Sequence, residues 1–208
     1  MKWRGSYIIE EMYIYYFIPV FSVVIFFALF VFQIFRRTFS DVFCSLASKW
    51  LFIFSLLVVI YWYFYLTALQ YFTWIEAGPP SLFFLPPYEN IFYLFQYHFV
   101  RFLMYFCISF VIAILFIFYG KRYNKKFDNK FFESEELYIG GTAIFLLGNP
   151  SGRYLWIFYL LAILFIGLLA SFFINKILKK TNERFSFYYL WMPLAIIAII
   201  INELVIHN

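Results

Sequence analysis

Long apolar runs, broken by short polar stretches, organise this chain. They extend from about Met12 to Phe35, Trp50 to Thr73, Ile91 to Tyr119, Tyr154 to Ile174 and Phe185 to Ile206, and a shorter run fills Leu137 to Gly148. A hydrocarbon layer of roughly 30 Å is crossed by about 20 apolar residues in helical form. The pattern therefore predicts an all-α fold, a polytopic membrane helix bundle of about six transmembrane helices with a short fourth helix. The predicted helices are 12–35, 50–73, 91–119, 131–148, 154–174 and 185–206, in one membrane domain covering 1–208.

The breaks have their own logic. Pro19 lies one to two turns into the first helix, where a kink is expected and neighbouring helices can satisfy the freed carbonyl. Arg36 and Arg37 end that helix. Between the second and third helices, Glu76 to Asn90 reads EAGPPSLFFLPPYEN. Its two Pro-Pro pairs exclude helix. The segment is apolar and lacks Lys and Arg, so it is expected in the headgroup region, with Phe83, Phe84 and Leu85 dipping into lipid or packing on helix ends. The twelve residues from Leu137 to Gly148 reach only about 18 Å as a helix. That helix must begin earlier, near 131, or lie where the bilayer thins.

Composition agrees. The chain is 65% hydrophobic and 13% charged, against about half and a quarter in soluble domains. It leaves no room for a soluble domain beside the helices. The net charge of +5 sits between apolar runs rather than in a nucleic-acid patch, so no nucleic-acid partner is expected. The stretches 36–49, 120–134 and 175–184 hold twelve of the sixteen Lys and Arg. The positive-inside rule puts those stretches in the cytoplasm and both termini outside it. Lys2 and Arg4 precede the first run, but Glu10 and Glu11 intervene and no cleavage site follows, so a retained first helix is expected rather than a signal peptide. Cys44, placed in a basic loop, and Cys107, placed in mid-helix, are not expected to pair.

The chemistry with most promise lies in Lys130 to Arg153, KFFESEELYIGGTAIFLLGNPSGR. Glu133, Glu135 and Glu136 stand at the mouth of the short helix, Gly140 and Gly141 follow one turn in, and Gly148, Asn149 and Pro150 end it in a tight turn. Glu136, Gly140 and Ala143 share a face, and the small residues admit a close neighbour. A carboxylate beside such a seam loses hydration and is raised in pKa, which suits acid–base work. The alternative is structural: carboxylates in a first turn complement the helix dipole and face the five cations of 120–134. His98 near the start of the third helix hints at haem, but a bis-histidine site needs a second histidine and the other, His207, is terminal. No cofactor and no metal site are expected.

From Glu136 onward the chain resembles the C-terminal half of type IV prepilin peptidases. In that family a Gly-x-Gly-Asp motif supplies the second catalytic aspartate and leads a short helix ending in Leu-Gly-Trp. Here Glu136-Leu137 leads the short helix and Leu147-Gly148-Asn149 closes it, with a last helix opening Phe-Ser-Phe-Tyr-Tyr. The family's first aspartate opens a basic stretch, matched by Gln33 to Asp41. The resemblance implies an intramembrane peptidase site at the cytoplasmic face, with Gln33 and Glu136 in the aspartate positions, Glu133 and Glu135 in the glycine positions, and Asp41 as a nearby carboxylate. Two carboxylates sharing a proton are what such a protease needs, and Gln33 cannot ionise. The chain also resembles uncharacterised multi-pass bacterial proteins with the pattern Leu-Pro-Pro-Tyr, Phe-Glu-x-Glu-Glu and Leu-Gly-x-Pro, matched at Leu85 to Tyr88, Phe132 to Glu136 and Leu147 to Pro150.

Three readings compete. The first is a non-catalytic scaffold or accessory membrane subunit on a prepilin-peptidase-like frame, with membrane lipid and other membrane proteins as partners. The second is a peptidase-like enzyme acting through Glu136. The third is a small respiratory subunit from an AT-rich organellar genome, which the 33 Phe and 19 Tyr would fit.

Overall fold

The computed structural model describes residues 3–127, 132–133, 135–152, 154–176 and 188–206. Among the described residues six helices carry the fold: α1 Trp3–Ile34, α2 Asp41–Ala77, α3 Ile91–Lys126, α4 Glu136–Leu146, α5 Leu155–Lys176 and α6 Trp191–Ile206. No strand occurs among the described residues. Phe17–Ile34 of α1, together with α2 and α3, gives three helices long and apolar enough to cross a membrane, and α4, α5 and α6 contribute shorter apolar stretches. Lys2, Lys130, Arg153, Lys179, Lys180, Arg184, His207 and the expected helix starts at 131 and 185 lie outside the described residues.

Several helices outrun the apolar pattern. α1 begins at Trp3 rather than near 12, α2 spans Asp41–Ala77 rather than 50–73, and α3 runs on to Lys126 rather than 119. The reason is the same in each case. Apolarity marks depth in an apolar medium, whereas Arg, Lys and Glu are good helix formers and extend the helix past it. α2 starts where its cap is: the Ser40 hydroxyl accepts from the Phe43 N–H at 3.4 Å, and Asp41 lies in the first turn. Cys44 is therefore a buried helical residue rather than a loop residue, and Cys107 is exposed on α3; both are free. α4 is shorter than expected, because 132, 133 and 135 lie outside the helix.

The connection after α2 follows from its glycine and prolines. Gly78 caps α2 at φ 71°, a left-handed value that glycine adopts without a Cβ penalty. Ser81–Phe84 form only a single 3-10 turn. Leu85 is buried with Trp74 and Leu94 in a small separate core, Phe84 stacks on Tyr93 at 5.5 Å, and Phe83 stays half exposed. α3 then opens at Asn90, whose side chain accepts from the Phe92 N–H at 3.0 Å, and passes through one π turn at Phe99–Leu103.

The short helix is the centre of the molecule. Every residue of α4 except Tyr138 is buried, and α4 touches all five other helices. Small residues allow this. A Cβ on Gly141 would come 2.7 Å from Ile117 of α3, and one on Gly148 would overlap the Ser109 side chain. The Ser109 hydroxyl in turn donates to the Phe145 carbonyl at 3.0 Å, tying α3 to the end of α4. The chain leaves α4 by a turn in which Asn149 Oδ1 accepts from the Ser151 N–H at 3.0 Å and the Asn149 carbonyl accepts from Gly152 at 3.1 Å. Pro150 sits in that turn.

Candidate functional site

The site forms where the end of α1 meets the mouth of α4. The α3–α4 connection is pinned first. Asn124 Nδ2 donates to the Phe132 carbonyl at 2.6 Å, and the Phe132 N–H donates back to Asn124 Oδ1 at 2.9 Å. This holds the next residues, Glu133 and Glu135, against the end of α1.

Arg36, just past α1, lies between them. Its Nη1 is 2.5 Å from Glu133 Oε2 and its Nε is 2.5 Å from Glu135 Oε1. The Glu135 side chain is fully buried and that of Arg36 is 25% exposed. The guanidinium also lies 5.3 Å from the centre of the Tyr188 ring. Burial pulls the Arg36 pKa down, but Glu135 and Glu133 outweigh it and raise it overall. Burial lifts Glu133 above the usual carboxylate range; Arg36 opposes that, and the negative charge of Glu135 adds to it.

Glu136 faces the other way. Its Oε1 accepts from the Trp191 indole N–H at 2.8 Å, and its Oε2 accepts from the Glu133 backbone N–H at 3.1 Å. Glu136 is the first residue of α4, at its loop end, and burial pushes its carboxyl up to about 7; the Trp191 and backbone hydrogen bonds oppose this, and Glu133 and Glu135 reinforce it. Gly140 makes the Trp191 position possible, since a Cβ there would come 2.9 Å from Phe116 and 3.0 Å from the indole. The Trp191 carbonyl accepts from the Tyr159 hydroxyl at 2.9 Å, which fixes α6 to α5.

Gln33 is fully buried near the end of α1, and its Nε2 donates to the Tyr188 carbonyl at 2.6 Å. It and Glu136 thus hold opposite ends of the segment 188–191 that leads into α6. Asp41 lies at the rim, 3.5 Å from Arg36 Nη2 with its side chain 84% exposed. The structure therefore groups Gln33, Glu133, Glu135 and Glu136 around the start of α6, with Asp41 outside. Gly140, Gly141 and Gly148 line seams of α4, and Asn149 and Pro150 make its exit turn.

One expectation changes. The described partner of the acidic cluster is Arg36, nearly a hundred residues upstream, rather than the nearby cations of α3; Lys121 donates to the Tyr138 hydroxyl at 2.6 Å instead. Trp191 enters the site without a spacing or motif that marks it, whereas Tyr188 belongs to the Phe-Ser-Phe-Tyr-Tyr opening of the last helix. Chemically, the arrangement can hold charge and hold helices together, and one carboxyl, Glu136, can change protonation near neutral pH. No protein-family model matches this chain, and no curated protein or solved structure matches it.

Proposed function

We propose that this chain is a multi-pass integral membrane protein acting as a non-catalytic scaffold or accessory subunit, on a frame like that of the prepilin peptidases. The membrane part of this reading is supported by exposure. The candidate spans keep only 28–39% of their residues buried within the chain, and Phe27, Trp50, Phe54, Leu57, Phe118 and Leu168 stand among many open apolar side chains. Apolar surface on that scale calls for lipid or another protein. The end carrying Arg36, Lys49, Lys121, Arg122, Lys125 and Lys126 is the cytoplasmic one by the positive-inside rule.

The single observation carrying the non-catalytic part is how the carboxylates are used. Glu133 and Glu135 bind Arg36, Glu136 is held by Trp191 and its own loop, and Gln33, which the resemblance puts in the place of the other acid, donates to the Tyr188 carbonyl. Aspartyl chemistry needs two acids around one water, whereas here one guanidinium lies between the carboxylates of Glu133 and Glu135. The test is purification of the tagged protein from its native membrane in mild detergent, with identification of what accompanies it. Stoichiometric partners support the reading. A lone homo-oligomer, together with loss of cellular function in Glu136→Gln at normal abundance, would overturn it.

That second outcome would favour the peptidase-like reading, for which Glu136 near pH 7 is the supporting feature.

A further inference from the structure

The last turns of α3 carry Tyr119, Arg122, Tyr123 and Lys126 at helical spacings of three, four and seven, so they share one face. Lys125 flanks them. All five side chains are exposed, and they line an open cleft of about 550 Å³. Neighbouring Lys121 points elsewhere, lying 4.7 Å from the centre of the Tyr138 ring and donating to its hydroxyl. No carboxylate among the described residues pairs with Arg122, Lys125 or Lys126, because Glu133 and Glu135 are taken by Arg36. Three positive charges without a carboxylate partner among the described residues thus line one cleft, Lys126 also lying 5.6 Å from the centre of the Phe127 ring, directly after the apolar part of α3 ends at Phe118.

We infer that this cleft binds the phosphate-bearing headgroup of an anionic membrane lipid. The place argues for lipid over soluble phosphate, since the cleft opens where an apolar helix gives way to charge. Cations in that position draw anionic headgroups. Arg122 offers a planar fork that matches phosphate oxygens, while Lys125 and Lys126 add point charge. Tyr119 and Tyr123 suit the same level, with apolar rings toward acyl chains and hydroxyls toward water. The inference rests on the membrane reading above.

The test reconstitutes the full chain in nanodiscs of equal phosphatidylcholine and phosphatidylglycerol, after carbonate extraction has checked insertion. Native mass spectrometry then counts retained lipids. The expected result is selective retention of phosphatidylglycerol, weakened about fivefold by Arg122→Gln and roughly a hundredfold by Arg122→Gln/Lys125→Gln/Lys126→Gln. Lys49→Gln, an exposed cation on α2, leaves retention unchanged. Inserted protein with no anionic preference, or a triple variant that keeps it, overturns the site alone, and the cleft then falls to an acidic protein partner. Full displacement of the lipid by inorganic phosphate makes it a soluble-anion site and also overturns the assignment. Failure to insert overturns the membrane reading and the lipid site together.

Discussion

Arg36→Gln is the most informative perturbation of the cluster. It removes the guanidinium from the fully buried Glu135 and from Glu133, whose side chain is 38% exposed. Stripping one partner from a buried ion pair costs about 3–5 kcal/mol. Two features hold this case near the lower edge. Arg36 is a quarter exposed, so water reaches one side, and Glu133, whose carboxyl burial already raises and Arg36 holds down, takes up a proton more readily once the guanidinium is gone, the more so at low pH. A loss of about 3 kcal/mol corresponds to a fall in melting temperature of roughly 6–12 °C for a chain of this size. The assay is thermal unfolding of the detergent-solubilised protein, followed by helical circular dichroism at pH 7 and pH 5. Arg36→Gln should melt well below wild type at pH 7 and much closer to it at pH 5. Arg36→Gln/Glu135→Gln should recover a large part of the deficit, since it also removes the buried charge. Arg36→Lys should recover less, because an ammonium cannot reach two carboxylates with a fixed fork. Melting within about 2 °C of wild type at pH 7, on the same scale, would refute the buried ion network, as would an equal deficit at both pH values.

Gly148→Ala should cost about 1–3 kcal/mol through overpacking, because the new methyl meets the Ser109 side chain close to the backbone; Ser109→Ala in the same chain should fail to restore wild-type melting fully, since the Ser109 Cβ is also in the way. Gly141→Ala should be milder, as its methyl meets only the end of the flexible Ile117 side chain, and equal losses at 141 and 148 would contradict the packing argument. Glu136 has a folded pKa near 7, raised from an ordinary 4.5, so its neutral form favours the fold: that contribution is complete below about pH 4.5 and is lost as pH rises toward about 7. A pH series of unfolding should show this decline in wild type and a shallower one in Glu136→Gln, with Glu133 supplying a smaller share of the same sign. Trp191→Phe removes the indole donor to Glu136 and should shift the carboxyl further upward, measurable as a later midpoint in the same titration.

What was legible in the sequence was the apolar skeleton and its centre. The runs predict six helices in order, and the glycines of the fourth mark it as the element others approach. Helix ends were less legible, because apolarity stops before helicity does. Ser40-Asp41 is a helix-start pattern lying in plain view, yet the cations beside it read as a loop. The site was half legible. Gln33, Glu133, Glu135 and Glu136 are distinguished by being polar at the edges of apolar runs, and the fold groups them. Their partner was not legible from spacing. Arg36 fits equally well as a topology signal, and only the packing of α1 beside the α3–α4 connection makes it the counter-ion. Trp191 carries no signal at all, since an indole at the start of an apolar helix is expected near any interface.

The ion network also answers a question the apolar surface raises. In the bilayer proposed for this chain, Leu and Phe side chains are as well solvated by lipid tails as by one another, so apolar contact alone does not choose a helix arrangement. Choice must come from places where backbones approach closely and from polar groups that lipid cannot satisfy. Both occur around α4. Gly120, Gly140, Gly141 and Gly148 set its depth against α3 and α6. Gln33 to the Tyr188 carbonyl, Tyr159 to the Trp191 carbonyl and Ser109 to the Phe145 carbonyl each join two segments far apart in sequence. Arg36 adds a charged tie from the end of the first helix to the residues that lead into the fourth. A buried ion pair is a poor source of raw stability, and its best-attested use is to fix register. On that argument the acidic residues before α4 serve the proposed scaffold as a structural tie. They define which helix ends meet, and a variant with Arg36 and Glu135 both replaced by apolar residues should keep its helical content while unfolding over a broader temperature range than the wild type.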